Sequence, residues 1–133
     1  YNSAFAGYTG LTSVVIPDTV RGTYGEIFRN CTNLISVTFP NNPSFKLLHN
    51  YILCNCRKLE SITIPSSVTN INVCALAFCT SLKTINYGGT TAQWASIVAS
   101  AGTTWNQDVP ATCQVICSDG TVYIDGSAIP QSE

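Results

Sequence analysis

The chain has 133 residues, enough for one domain with a continuous core. Six Lys and Arg stand against seven Asp and Glu, a formal charge of −1, so there is no basic field for nucleic acid and no polybasic surface for a membrane. Only 10% of residues are charged while Ser, Thr and Asn abound, which suits a β-rich extracellular protein better than a cytosolic helical one. No apolar run reaches the roughly 18 residues a spanning helix needs, and no signal peptide or lipidation motif is visible.

Taken in order, residues 1–10 read as the tail of an incomplete repeat, which implies that the natural chain starts further upstream. Then Leu11-Thr12-Ser13-Val14-Val15-Ile16-Pro17 begins a series. Leu34-Ile35-Ser36-Val37-Thr38-Phe39-Pro40 and Leu59-Glu60-Ser61-Ile62-Thr63-Ile64-Pro65 repeat it, and Leu82-Lys83-Thr84-Ile85-Asn86-Tyr87-Gly88 repeats it without the proline. The leading leucines are 34−11 = 23, 59−34 = 25 and 82−59 = 23 residues apart. A period in the twenties with leucine in register predicts a leucine-rich repeat solenoid, in which coils stack to bury a shared interior.

Each coil should have two limbs. The first is a short strand, with Leu11, Val14 and Ile16 and their counterparts facing inward at the final period of two. Pro17, Pro40 and Pro65 lack an amide hydrogen and should end their strands. Val20, Phe45 and Val68 should then re-enter the core, with a bulged surface turn around Pro43. The return limb, through Phe28, Leu53 and Leu76, is expected to be a short helical turn. Cys31, Cys56 and Cys79 recur at one repeat position, which argues for small buried side chains and against pairing. The seven cysteines are also an odd number for a disulfide framework.

After Gly88-Gly89 the period stops in the sequence. Thr90 to Val98 reads as a capped helix with Trp94, Ile97 and Val98 on one face. Gln114 to Ile124 reads as a β-hairpin turning at Asp119-Gly120. The expected fold is therefore α/β: a solenoid of short parallel strands and short helical turns with a C-terminal cap. The expected divisions are repeats over 1–88 (one partial, three full), a helix–loop–hairpin cap over 89–124 and a linker over 125–133.

Asn30-Cys31-Thr32-Asn33-Leu34, Cys79-Thr80-Ser81-Leu82 and Ser61-Ile62-Thr63-Ile64-Pro65-Ser66-Ser67-Val68 resemble the BspA-type leucine-rich repeats of bacterial surface proteins. So does the closing block Tyr87-Gly88-Gly89-Thr90-Thr91-Ala92-Gln93-Trp94, followed by Cys117-Ser118-Asp119-Gly120-Thr121. The resemblance spans about residues 4–124. It implies a secreted or wall-attached protein that binds host or neighbouring-cell components, a protein or a glycan, and it implies no catalytic residue. Return limbs of such repeats usually read close to Val-Thr-Ser-Ile-Gly-Asp-Tyr-Ala-Phe. Here the limbs at 20–28, 45–53 and 68–76 keep the apolar positions while their neighbours differ.

That limb is the first candidate surface. In register, Tyr24, Gly25 and Glu26 should lie beside His49, Asn50 and Tyr51, then beside Asn72, Val73 and Cys74. Tyrosines give large contact area at low entropic cost. A solvated edge tolerant of any residue is the plainer reading. The second candidate is the outward strand face, Ser13, Ser36, Thr38, Ser61, Thr63, Thr84 and Asn86, a row of small β-formers without an aromatic anchor. The third is thiol or metal chemistry at His49, Cys54 and Cys56. A metal site needs more ligands than Cys54-x-Cys56 supplies, and a thiol nucleophile needs a base and an orienting group; structural thiols fit better, and no cofactor or metal is expected. Cys113 and Cys117 lie too far apart for a disulfide along one strand; either the strand begins after Cys113 or each has another neighbour. Trp94 and Trp105 are a possible sugar platform, with Trp94 better placed as core. The composite expectation is a non-enzymatic surface-exposed binding module, the alternative being a structural spacer or cap.

Overall fold

Short β-branched runs form the strands, and small polar residues bend the chain between them. In the computed structural model, which describes residues 5–23 and 25–130, the elements are β1 (Ser13–Val15), β2 (Ser36–Thr38), β3 (Leu47–Leu48), β4 (Ser61–Ile64), β5 (Asn70–Ile71), β6 (Thr84–Tyr87), α1 (Thr91–Ala101), β7 (Gln114–Cys117) and β8 (Gly120–Tyr123). The main sheet runs β1-β2-β4-β6-β7-β8, parallel except for the final antiparallel hairpin. Its inward column is Val14, Val37, Ile62, Ile85 and Val115, paired one to the next. Leu34, Leu59 and Leu82 each stand two residues before a paired strand and are fully buried. Leu11 occupies the same place in the first coil and is half-buried, having a neighbour on one side only.

The return limb is not helical. Its amides alternate between two kinds of partner. Those of Phe28, Leu53 and Leu76 cross to Ile52, Ala75 and Trp105 of the next coil, at 3.0, 2.9 and 2.7 Å. Those of Cys31, Cys56 and Cys79 turn back to Phe28, Leu53 and Leu76 of their own coil. A helix would need every amide for its own ladder, so the crossing bonds exclude one. Left-handed residues enforce the break, at Glu26, Tyr51 and Cys74 and again four residues on at Asn30, Asn55 and Phe78. Just before this turn, β3 and β5 pair as a small second parallel sheet that the sequence did not announce.

The cysteine position now has a physical reason. The thiols of Cys31, Cys56 and Cys79 each reach a carbonyl of the preceding coil, on Phe5, Phe28 and Leu53, at 3.1 Å every time. In the latter two cases that carbonyl already accepts the cysteine amide of its own coil, and the thiol takes the second lone pair. A small buried side chain with a weak donor suits this position in these three coils.

The coiling also continues past Gly89, where the sequence period ends. Leu76 and Phe78 donate to Trp105 and Gln107 as earlier coils donate to their successors. The left-handed column Gly7, Asn30, Asn55, Phe78 extends to Asp108, with φ between 62° and 74° throughout. β7 then pairs with β6 in register. Helix α1 is inserted into this longer coil and packs on β5. The leucine and cysteine signals are absent from the coil (Thr112 and Val109 stand at those spacings), which hides it from a periodicity reading. The hairpin extends the sheet by β7 and β8, with the next segment, Asp125 to Ala128, folding back on β8.

Aromatic rings fill the interior where coils widen. Phe39 stacks on Phe45 at 5.5 Å, Tyr87 tilts against Trp94 at 5.4 Å, and Trp94 meets Trp105 edge-on at 6.0 Å. The indole N–H of Trp94 donates to the Ile124 carbonyl at 3.0 Å. Thr90 and Gln93 cap α1 reciprocally, and Asp119 of the hairpin turn accepts from the Thr91 amide at 2.8 Å. Gly89 lets this junction close, because a Cβ there would lie 2.6 Å from the Tyr87 ring and from the Gln93 side chain.

Two substitutions follow from this packing. Gly89→Ala should cost about 1–3 kcal/mol in urea unfolding through steric overlap; an unchanged midpoint would refute the close approach. Asn55 donates to Asn30 at 2.9 Å, but its own buried Oδ1 is unpartnered where the next coil carries Phe78. Phe78→Asn supplies that partner and a side chain suited to left-handed backbone, and should raise the melting temperature by about 2–6 °C; a lower value would contradict it.

Candidate functional site

The return limbs bring Glu26, His49, Asn50, Tyr51 and Asn72 to one edge of the solenoid, all half-buried. The crossing bonds Glu26 N to Asn50 O and Tyr51 N to Val73 O, both 3.2 Å, set Glu26 beside Tyr51 and Tyr51 beside Cys74. Gly25 lies against Asn50 and His49. Tyr24 lies outside the described residues. The organising residue was missed in the sequence: Arg29 pairs with the Glu26 carboxylate and lays its guanidinium over the Tyr51 ring, 4.5 Å from the centroid. The Glu26 side-chain bond holds the Arg29 pKa above its ordinary value. The three-residue spacing of Glu26 and Arg29 was a readable ion-pair signal; the Tyr51 contact needed the coil register as well.

The outward strand face is a second continuous surface. Ser13, Ser36, Ser61, Thr84 and Gln114 form one row, and Val15, Thr38, Thr63, Asn86 and Ile116 the other. Ser13 and Asn86 are exposed; Ser36, Thr38, Ser61 and Thr63 are half-buried by their neighbours. The second row runs into an open groove of about 560 Å³ at the C-terminal ends of the strands. Thr38, Thr63 and Asn86 line it with Asp18, Asn41 and Ser66, over Phe39, Ile64 and Tyr87. One Asp18 carboxylate oxygen accepts from the backbone N–H of Asn41 at 2.9 Å. Asp18, Asn41 and Ser66 belong to the turns after the strands and were not singled out in the sequence.

The thiols are placed for packing. Burial pushes the Cys54 pKa up, against the opposing pull of Arg29, and pushes Cys56 up further. A nucleophilic cysteine needs the opposite shift. Cys113 precedes β7 and Cys117 ends it; both are buried and free. Among the described residues no group of three or more His, Cys, Asp or Glu is arranged to hold a metal ion, and no helix is long and apolar enough to cross a membrane. Trp94 and Trp105 are buried and offer no sugar platform.

Stacked parallel strands with leucine at a fixed position in each coil define a leucine-rich repeat solenoid. The chain belongs to the family described as the BspA type leucine rich repeat region, whose profile matches residues 1–100 in six copies. It is also similar to the crystal structure of a leucine rich cell surface protein from Faecalibacterium prausnitzii A2-165, with 28% identity and a TM-score of 0.57. That likeness covers 70% of this chain and 30% of the other, so the chain spans under a third of that protein. A search of curated proteins gives no match.

The buried thiols predict a pH dependence. Burial raises Cys79 and Cys113 from 9.0 to about 12. Between those values the unfolded chain releases thiol protons that the folded chain keeps, so alkali favours unfolding. The thiol contribution should be constant below pH 9 and fall as pH rises from 9 towards 12. Urea midpoints across that range check this, with Cys79→Ala expected to flatten the slope; an equal slope in the variant would contradict the assignment.

Proposed function

We propose that the chain is a non-catalytic binding module of a cell-surface protein, and that the return-limb edge meets a macromolecular partner on a host or neighbouring cell. The carrying observation is the Arg29–Tyr51 stack held by Glu26 on an outer edge of the solenoid. A planar cation on a fixed tyrosine, flanked by His49, Asn50 and Asn72, gives a contact patch that loses little entropy on binding. Family membership and the surface protein from Faecalibacterium prausnitzii support a secreted or surface location. The same comparisons support a repeat module without an active site, and the raised thiols agree. The coils through β7 would act as the repeat scaffold, with β8 and the segment Asp125 to Ala128 closing its end.

Binding of the fluorescently labelled chain to intact epithelial cells and to intact bacteria tests this. Arg29→Ala with Tyr51→Ala should reduce bound protein at least tenfold while the circular dichroism melt still shows a folded chain. Undiminished binding by the folded variant would remove the edge as the contact. Absence of binding by the parent chain to either cell type would favour the spacer reading.

A further inference from the structure

We propose that the groove at the C-terminal ends of the strands binds a neutral glycan, its sugar chain running across the coils. This deepens the surface-binding reading by giving the strand face a ligand class of its own, at a site separate from the Arg29–Tyr51 edge.

Spacing is the first argument. Thr38, Thr63 and Asn86 are adjacent in register, one from each of three successive coils. Parallel strands lie about 4.8 Å apart, close to the length one pyranose unit adds to a chain. Each sugar would thus meet the same polar row one coil further along.

Free hydrogen-bonding capacity is the second. Asn33, Asn42 and Asn55 are spoken for: their amides donate to Thr9, Asp18 and Asn30. Among the described residues the Asn41 and Asn86 side chains make no such bond. Neither do the hydroxyls of Thr38, Thr63 and Ser66. Asp18 accepts from the Asn41 backbone N–H through one carboxylate oxygen and leaves the other available. Amides, hydroxyls and one carboxylate both donate and accept, as a ring of sugar hydroxyls requires.

Charge is the third. No Lys, Arg or His lines the groove, and Asp18 gives it a negative end. An acidic sugar would meet repulsion with no compensating cation. The face also disfavours an extended peptide, because strand addition needs an open sheet edge and the backbone here is paired on both sides through β2, β4 and β6.

Titration of the 15N-labelled chain with cellotriose, maltotriose and chitotriose, and with sialyllactose as the acidic comparison, tests the proposal. At least one neutral trisaccharide should shift the side-chain amides of Asn41 and Asn86 and the backbone amide of Ser66. Asn86→Ala should weaken that binding at least tenfold with the fold intact by circular dichroism, while Tyr51→Ala should leave it unchanged. Asp18→Asn should bring sialyllactose closer to the neutral sugars in affinity. No shift with any neutral trisaccharide at millimolar concentration would overturn the proposal, as would shifts confined to the return limb or tighter binding of sialyllactose by the parent chain. Cell binding that fails for Arg29→Ala with Tyr51→Ala bears on the edge and not on this titration, so the two readings fail separately.

Discussion

The structure depends on backbone hydrogen bonds that run between coils. One column passes from Ile35 to Thr12, Glu60 to Ile35, Lys83 to Glu60 and Gln114 to Lys83, at 2.7 to 3.0 Å. A matching column crosses the return limb. The coils are therefore held to their neighbours on both limbs, and these bonds pair peptide groups that a dry interior would otherwise leave unsatisfied. A single coil has neither those partners nor enough apolar surface to fold alone, which makes the repeats interdependent.

Side chains specialise within that frame. Leucines and β-branched residues fill the interior. The Cys31, Cys56 and Cys79 thiols fill a buried slot and each donates to a carbonyl of the preceding coil. Left-handed residues turn each return limb so that alternate amides point to the next coil. What is left over faces solvent: the strand rows with their groove on one side, and the Glu26–Arg29–Tyr51 edge on another. This division between a fixed interior and adjustable surfaces suits a module that presents contacts to other molecules.

The repeats were legible because leucine, cysteine and proline recur at fixed spacing, and each has a structural task. The parallel register followed from that spacing: Ser13, Ser36, Ser61 and Thr84 stand side by side as the alignment of the repeats required. Helical return turns were a wrong expectation, since residue type alone does not reveal that Phe28 and Leu53 send their amides sideways. Non-glycine residues such as Glu26 and Tyr51 also gave no hint of left-handed backbone. The coil from Trp105 to Cys117 was invisible because its leucine and cysteine positions carry other residues. Of the candidate edge, Glu26, His49, Asn50, Tyr51 and Asn72 were named from the sequence and Arg29 was not, because its contact with Tyr51 joins two neighbouring coils. The groove was half seen: Thr38, Thr63 and Asn86 belonged to a regular row, whereas Asp18, Asn41 and Ser66 enter from irregular turns.

Native-state hydrogen exchange addresses the stacked-coil account most directly. The amides of Phe28, Leu53 and Leu76 on the return limb should exchange as slowly as those of Ile16, Phe39 and Gly88 on the strand side, because all six cross between coils. A common opening energy for both groups would mark one cooperative stack. Fast exchange at Phe28, Leu53 and Leu76 beside slow exchange on the strands would show that the return limb is not part of it, and would contradict the account.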